Sequence, residues 1–103
     1  MAVLFPPGDD EPSSIYPANG RTFTLAELQH IVGGYIEVLR TLDGYMIINE
    51  EGKLDRPAPL PYNFLATSLM RGLRRIAPDD YIVGHAIVCT PLEAGAHDDE
   101  DDD

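Results

Sequence analysis

The sequence contains no tryptophan, a single cysteine, and only seven lysines and arginines among 103 residues. One cysteine excludes an internal disulfide, so the modest core of a chain this short has no covalent staple. There is also no apolar run near the ~20 residues that a membrane-spanning helix needs. These absences lead us to expect a protein of the reducing cytoplasm with no membrane segment.

The shortage of basic residues leaves a formal net charge of −11, because eighteen residues are aspartate or glutamate. This charge opposes direct binding to DNA, RNA or anionic lipid, all of which select basic surfaces. Six of the acids stand together at positions 98–103, where like charges repel one another and cannot be buried. We therefore expect one domain over residues 1–94 and a disordered acidic tail over residues 95–103.

Two helices are predicted from residues that cap helix ends. Thr24 and Glu27 have the spacing of a capping box, and Gly33-Gly34 follows the apolar pattern after them, which predicts the end of the helix. Asn63 is a favoured N-cap residue before a second apolar pattern, which predicts a helix over residues 64–76.

Turn dipeptides and β-rich runs predict the strands. Asp43-Gly44 separates two such runs, and Asn19-Gly20 is a strong turn signal for an earlier hairpin. The predicted strands cover residues 35–42, 45–49 and 81–89, with the earlier hairpin joining residues 14–18 to residues 21–23. Together these elements predict an α+β fold with two helices packed on a small, mostly antiparallel β-sheet. The exposed edges of so small a sheet also suggest a homo-oligomer.

The motifs that usually accompany catalysis are missing. There is no Walker loop, GxGxxG, GxSxG or HExxH sequence. His85 and Cys89 lie four residues apart on a predicted strand, but no further zinc ligand has a suitable spacing, and no orienting acid accompanies the pair. We therefore predict no catalytic residue, no metal site and no cofactor, and expect a binding protein rather than an enzyme. An enzymatic alternative would need His85 or Glu37 as an acid or base.

The second helix carries three of the seven basic residues, namely Arg71, Arg74 and Arg75. Spacings of three and four residues place Arg71 beside both others on a helix, where the group could clamp a phosphate or a carboxylate. The alternative is a solvated face that complements the helix C-terminal dipole and Asp79-Asp80.

Two polar residues within apolar surroundings also have alternative interpretations. Glu37 either faces the core, where it needs a partner, or lies on an outer face together with Tyr35 and Leu39. Asn63 either acts only as a helix cap or presents its amide at the mouth of a pocket.

Four segments in this order resemble the family catalogued as domain of unknown function 3846, which is common on phages, plasmids and other mobile elements. They are Gly33-Gly34-Tyr35-Ile36-Glu37, Asn49-Glu50-Glu51-Gly52-Lys53, Asn63, and Asp80-Tyr81-Ile82-Val83-Gly84. The resemblance runs from Ile15 to Cys89 and leaves out the acidic tail and residues 9–14. Phe64 departs from it, because family members usually have arginine after the mid-chain asparagine. The resemblance implies an accessory domain of a mobile element, and small phage domains of this kind often counter host defences.

Two functions fit these observations. The first is a non-catalytic binding domain of a mobile element that captures a small anionic or nucleotide-like ligand. Its carboxylates and amides would read the base or ribose, and its arginines would hold phosphate. The predicted ligand-binding residues are Glu37, Asn49, Glu50, Asn63, Arg71, Arg74 and Arg75.

The alternative is an acidic inhibitor that mimics nucleic acid and binds a host nucleic-acid-binding or defence protein, with the acidic tail in place of backbone phosphates. A plainer explanation of the tail is that it keeps the protein soluble.

Overall fold

The computed structural model describes residues 2–8, 10–53 and 60–95. Within these ranges the chain forms five strands and three helices. In chain order they are β1 (Ala2–Phe5), β2 (Ser13–Ile15), α1 (Leu25–Val32), β3 (Ile36–Arg40), β4 (Tyr45–Asn49), α2 (Phe64–Gly72), β5 (Ala86–Cys89) and α3 (Pro91–Ala94). The strands form one antiparallel sheet in the order β2-β1-β5-β4-β3. The predicted α+β fold is confirmed.

The central strand of the sheet, β5, and its neighbour β4 are covered on both faces. Ile47 and Ile87 are paired across these strands and belong to the apolar cluster that contains Leu28 of α1. Their neighbours Met46 and Ala86 point the other way and belong to the cluster that contains Met70 of α2. This alternation places one helix on each face of the sheet and explains the continuously apolar sequence of β4.

The first helix begins and ends as its sequence predicts. The Thr24 hydroxyl accepts a hydrogen bond from the Glu27 amide, and the Glu27 carboxylate accepts one from the Thr24 amide. Phe23 and Leu28, which flank the cap, are both buried in the core. The helix ends at Gly33, whose φ of 83° is a left-handed conformation that glycine adopts without strain.

Asn63 links three parts of the fold. Its side-chain oxygen accepts a hydrogen bond from the Ala66 amide at 3.0 Å and so caps α2. Its side-chain nitrogen donates to the Phe5 carbonyl at 2.8 Å and to the Gly84 carbonyl at 2.7 Å. The side chain is completely buried, so these hydrogen bonds are made without competition from water.

The second helix is shorter than predicted, because it ends at Gly72 instead of residue 76. The chain turns at Arg74, whose φ is +58°, and the Arg75 amide donates to the Met70 carbonyl at 2.9 Å. This is a left-handed helix end formed with arginine at the position where glycine is usual.

Two strand predictions were also wrong, one in the extent of a strand and one in its pairing. The last strand starts at Ala86 rather than residue 81, because Gly84 has a φ of +74° and its α-carbon packs against Leu60. A side chain on Gly84 would lie only 2.7 Å from Leu60 Cδ1. The hairpin at Asn19-Gly20 is absent: a turn forms there, but β2 pairs with β1, and the Asn19 side chain accepts hydrogen bonds from the amides of Arg21 and Thr22.

The short helix α3 was not predicted, although its signal is present in the sequence. Thr90 and Glu93 form a second capping box around Pro91 at the first helical position. The Phe23 amide donates to the Glu93 carbonyl, so α3 is attached to the segment that leads into α1. Apart from Gly95, which caps α3, the predicted acidic tail lies outside the described residues.

Replacing Arg74 by glycine should raise the free energy of unfolding by about 0.5–1 kcal/mol, because it removes the strain of a β-carbon at positive φ. Urea denaturation at pH 7 measures this change. Arg74→Ala is the matched control, since it removes the guanidinium but keeps the β-carbon. An equal gain in both variants would show that charge, and not backbone strain, is relieved.

Replacing Asn63 by alanine should lower the free energy of unfolding by about 3–5 kcal/mol, since it leaves buried backbone groups without partners at about 1–3 kcal/mol each. Thr24→Ala, which removes a more exposed cap, should cost only about 1 kcal/mol in the same urea titration. A loss no larger for Asn63→Ala than for Thr24→Ala would contradict the linking role.

Candidate functional site

Three of the four sequence segments singled out above meet at one cleft, which we call the motif cleft. Its volume is about 140 Å³. Strand β3 contributes Glu37, the end of β4 and the following turn contribute residues 48–50 and 52–53, and residues 80–83 close the opposite side. The complete lining is Glu37, Leu39, Ile48, Asn49, Glu50, Gly52, Lys53, Ile76, Asp80, Tyr81, Ile82 and Val83.

A glycine allows the walls of the motif cleft to approach each other. A β-carbon on Gly52 would lie 2.8 Å from Val83 Cγ2, which is closer than real β-carbons pack, and a tight 3.3 Å from Leu60 Cδ1. The Leu60 amide donates to the Gly52 carbonyl at 2.8 Å and fastens the turn in this place. The segment from Asn49 to Lys53 therefore keeps a fixed position against residues 82–83.

Thr67 of α2 holds the opposite wall. Its hydroxyl accepts a hydrogen bond from the Ile82 amide at 2.8 Å and lies 3.3 Å from the Ile82 carbonyl, to which it donates. Thr67 and Ile82 are both buried, and the Asn63 amide donates to Gly84 two residues further on. Residues 82–84 thus have fixed backbone positions although they belong to no regular strand.

A cation and a carboxylate are joined at the rim of the motif cleft. Lys53 Nζ donates to Asp80 Oδ1 at 2.5 Å and lies 4.2 Å from the centroid of the Tyr81 ring. The hydrogen bond from Lys53 is the largest of the effects that lower the pKa of Asp80, and the Tyr81 amide contributes further. Arg71 adds a hydrogen bond from Nε to the Asp80 carbonyl at 2.9 Å.

Aromatic rings extend outward from this rim. The Tyr81 ring stacks on Tyr62 at 5.8 Å between centroids, and Tyr62 contacts Phe64 edge-on at 4.6 Å. Tyr81 is 39% exposed and Phe64 is 56% exposed, so both present apolar surface to solvent. One end of the motif cleft is therefore an aromatic surface.

Two carboxylates of the motif cleft have no partner within the described residues. Glu37 is exposed, although it pairs across the sheet with Ile48, which belongs to the apolar cluster beneath α2. Leu39 packs against the same cluster, so the strand has no outer face formed by Glu37 and Leu39 together, and neither interpretation of Glu37 is met in full. Glu50 is also exposed, and only its backbone amide is bonded, to the Tyr35 carbonyl. Both side chains are free to accept hydrogen bonds from a ligand.

The two predicted asparagines use their amides for the fold. Asn49 Nδ2 donates to the Val32 carbonyl at 3.0 Å, and its oxygen accepts from the Glu51 amide at 2.7 Å, so it fixes the end of α1 to the turn after β4. Asn63 is the cap described above and does not line the motif cleft. For Asn63 the structural interpretation is the one that the geometry supports.

The three predicted arginines do not act as one helical group, because α2 ends before Arg74. Arg71 lies beside the motif cleft through its bond to Asp80. Arg75 lines a different cavity together with Arg40, and Arg74 lines neither. The structure therefore brings together Glu37, Asn49 and Glu50, with Arg71 next to them, and leaves out Asn63, Arg74 and Arg75.

Lys53, Asp80 and Tyr81 were not predicted as site residues, although each belongs to one of the segments that carry the family resemblance. Lys53 ends the Asn49–Lys53 segment, and Asp80-Tyr81 begins the last one. Their presence in those segments was the available signal. The ion pair of Lys53 with Asp80, and the place of the Tyr81 ring beside it, depend on contacts between distant parts of the chain.

Cys89 is not poised for chemistry. Burial is the main cause that raises the pKa of its thiol to about 12, and the nearby Glu93 carboxylate adds to this. The thiolate required of a nucleophile or a metal ligand therefore does not form near neutral pH. Across residues 2–8, 10–53 and 60–95, no three histidine, cysteine, aspartate or glutamate side chains are grouped to hold a metal ion. Within those ranges no helix has the length and apolar character to cross a membrane.

The pairing of Asp80 with Lys53 should make stability depend on pH. Because the folded pKa of Asp80 is lowered, the pair stabilises the fold above the ordinary carboxyl value of 3.8, and this contribution is lost as pH falls below it. Both side chains are more than 40% exposed, so we expect Asp80→Asn to cost at most about 1 kcal/mol at pH 7.

Urea titrations at pH 7 and near pH 2 should find this cost at the higher pH and not at the lower. Asp79→Asn is the control, because Asp79 makes no side-chain hydrogen bond or ion pair to any described residue. A cost for Asp80→Asn that is equal at both pH values would argue against the ion pair.

Comparison with known proteins gives one result for the family and none for individual relatives. No curated protein and no solved structure matches the chain. The model of the family described as a domain of unknown function (DUF3846) matches residues 2–102. The match extends beyond the Ile15–Cys89 resemblance at both ends and covers essentially the whole sequence. The chain is a member of the DUF3846 family.

Proposed function

We propose that this chain is a non-catalytic binding protein that captures a small nucleotide-like ligand at the motif cleft. The observation that carries the proposal is the convergence of three family-like segments on one cleft that has two unpartnered carboxylates and an exposed tyrosine. Glu37, Glu50 and Tyr81 come from separate parts of the sequence, and the fold gives them a common opening.

The chemistry of the motif cleft suits a base or a sugar. Ionised carboxylates accept strong hydrogen bonds, and the amino groups of bases and the hydroxyls of ribose are the donors they would meet. The Tyr81 ring already carries Lys53 Nζ at 4.2 Å and stacks on Tyr62, so a base would meet the exposed edge of this ring. A volume of about 140 Å³ admits one ring rather than a whole nucleotide, so the remainder of the ligand would lie outside.

Charge determines where a phosphate could lie. Glu37, Glu50 and Asp80 make the interior of the motif cleft unfavourable for an anion. Arg71 lies beside it and bonds to Asp80 through Nε. Its two terminal nitrogens have no hydrogen-bond partner within residues 2–8, 10–53 and 60–95, which leaves them for charge-assisted hydrogen bonds to a ligand. A single phosphate near Arg71 is therefore compatible with this cleft, and Arg74 and Arg75 have no part in it.

The setting of this activity is part of the proposal. We infer a phage or other mobile element from the family resemblance, and the host cytoplasm from the absence of disulfides and membrane helices in the sequence. Capture of a signalling nucleotide would counter a host defence without a catalytic step. Strands β2 and β3 lie at the edges of the sheet, which supports a homo-oligomer formed by edge pairing.

Calorimetric titration with nucleosides and with linear and cyclic nucleotides tests the proposal. At least one ligand should bind, and Glu37→Gln or Glu50→Gln should weaken its binding about tenfold or more, since hydrogen bonds to charged groups contribute about 1.5–3 kcal/mol. Glu51→Gln is the matched control, because Glu51 lies on the same turn but not in the cleft lining.

Failure of the whole panel to bind, or an equal loss with Glu51→Gln, would remove the support for this function. The alternative, a nucleic-acid mimic that binds a host protein, has its support in the net charge of −11 and the six acids at 98–103. A chain lacking residues 97–103 separates the two proposals, because nucleotide capture at the motif cleft should not change with this deletion.

A further inference from the structure

A second cavity, of about 290 Å³, lies at the opposite end of β4 from the motif cleft. We call it the arginine cavity. The turn between β3 and β4 forms one side, with Thr41, Asp43 and Gly44, and Arg40 and Arg75 also line it. No residue lines both cavities. The four steps of β4 from Tyr45 to Asn49 separate their ends by about 13 Å at ~3.3 Å per residue.

The two arginines are the distinctive feature of the arginine cavity. Arg40 and Arg75 are exposed, and within the described ranges neither forms an ion pair or donates a side-chain hydrogen bond. The Arg40 guanidinium lies 5.8 Å from the centroid of the Tyr45 ring, which gives it a preferred place without neutralising it. Two free guanidinium groups at one cavity are notable in a chain that has only seven basic residues.

Thr41 adds a neutral donor. It is only 8% exposed, and its backbone amide donates to the Gly44 carbonyl, but its hydroxyl has no partner among the residues that the structure describes. In the same part of the chain every fully enclosed side-chain oxygen and nitrogen has a partner. The Thr41 hydroxyl must therefore keep an opening to the cavity that it lines.

The wall of the arginine cavity is held in place by close packing. A β-carbon on Gly44 would overlap the Cys89 carbonyl oxygen, so the β3–β4 turn sits directly against the end of β5. A fixed wall lowers the entropic cost of ordering the donors around a ligand.

We propose that the arginine cavity binds a small oxyanion, carried either by a phosphate or by a carboxylate group. The forked guanidinium groups of Arg40 and Arg75 match the paired oxygens of both groups, and the Thr41 hydroxyl supplies a third donor. Asp43 is the acidic member of the lining and opposes the anion. Its presence limits affinity for highly charged ligands, because like charges close together repel.

This site is separate from the proposed nucleotide site in position and in chemistry. Its donors come from the β3–β4 turn and from the segment after α2, whereas the motif cleft offers mainly acceptors. Binding at the arginine cavity therefore does not require the nucleotide proposal to be correct, and the two are tested with different variants.

Titration of the full chain with pyrophosphate and with succinate, followed by calorimetry or by amide NMR shifts, tests the proposal. At low salt at least one probe should bind, and Arg40→Gln or Arg75→Gln should weaken binding about tenfold or more. Asp43→Asn should tighten binding severalfold, a change that damage to the fold would not produce. Tighter binding of pyrophosphate assigns a phosphate ligand, and tighter binding of succinate assigns a carboxylate.

Arg21→Gln is the matched control, since Arg21 is an exposed arginine that does not line the cavity. Thermal unfolding by circular dichroism verifies that every variant is folded. The proposal is overturned if neither probe binds at millimolar concentration. It is also overturned if Arg21→Gln weakens binding as much as Arg40→Gln does.

Discussion

The placement of α2, the end of β1 and the segment before β5 depends on the buried side-chain amide of Asn63. This side chain caps α2, donates to the Phe5 carbonyl at the end of β1, and donates to the Gly84 carbonyl just before the chain enters β5. In a core from which water is excluded, each of these bonds replaces one that the unfolded chain would make with solvent. The Thr67 hydroxyl adds hydrogen bonds to the backbone of Ile82, two residues before Gly84. Together, Asn63 and Thr67 fix the backbone of residues 82–84, which form no regular strand. Part of this segment is one wall of the motif cleft.

The distribution of charge gives the molecule two unlike ends. The motif cleft gathers Glu37, Glu50 and Asp80 around a single lysine, and the arginine cavity pairs Arg40 with Arg75 at the other end of β4. The net charge of the whole chain therefore says little about either site. Long polyanions meet the repulsion of the acidic total, while a small ion responds to the few groups within a Debye length of about 10 Å.

Local signals explain which parts of the fold the sequence could predict. Both ends of α1 depend on Thr24, Glu27 and Gly33, which are neighbours along the chain, and their prediction is confirmed. The start of the last strand at Ala86 depends instead on Leu60 packing against Gly84, a contact between distant segments that no local pattern contains. The pairing of β2 with β1 is missed for the same reason, since the turn at Asn19-Gly20 forms but leads to no hairpin.

The candidate site follows the same division. Glu37, Asn49 and Glu50 were predicted and do lie together. They do so because β3 and β4 form a hairpin, and the turn between these two strands is short and local in the sequence. The arginines were grouped by assuming a longer helix, and the left-handed turn at Arg74 separates them. Asp80 and Tyr81 reach the motif cleft only through contacts that Lys53 and Thr67 make across the fold.

The central place of β5 has a consequence for how the molecule is made. Strands β1 and β2 form one local hairpin and β3 and β4 another, and only β5, from residues 86–89, joins them into a sheet. Because such distant pairings form late, the inner edges of β1 and β4 stay open while most of the chain is already synthesised. Open strand edges can pair with other chains. This protein is therefore most prone to aggregate before β5 has paired with β1 and β4.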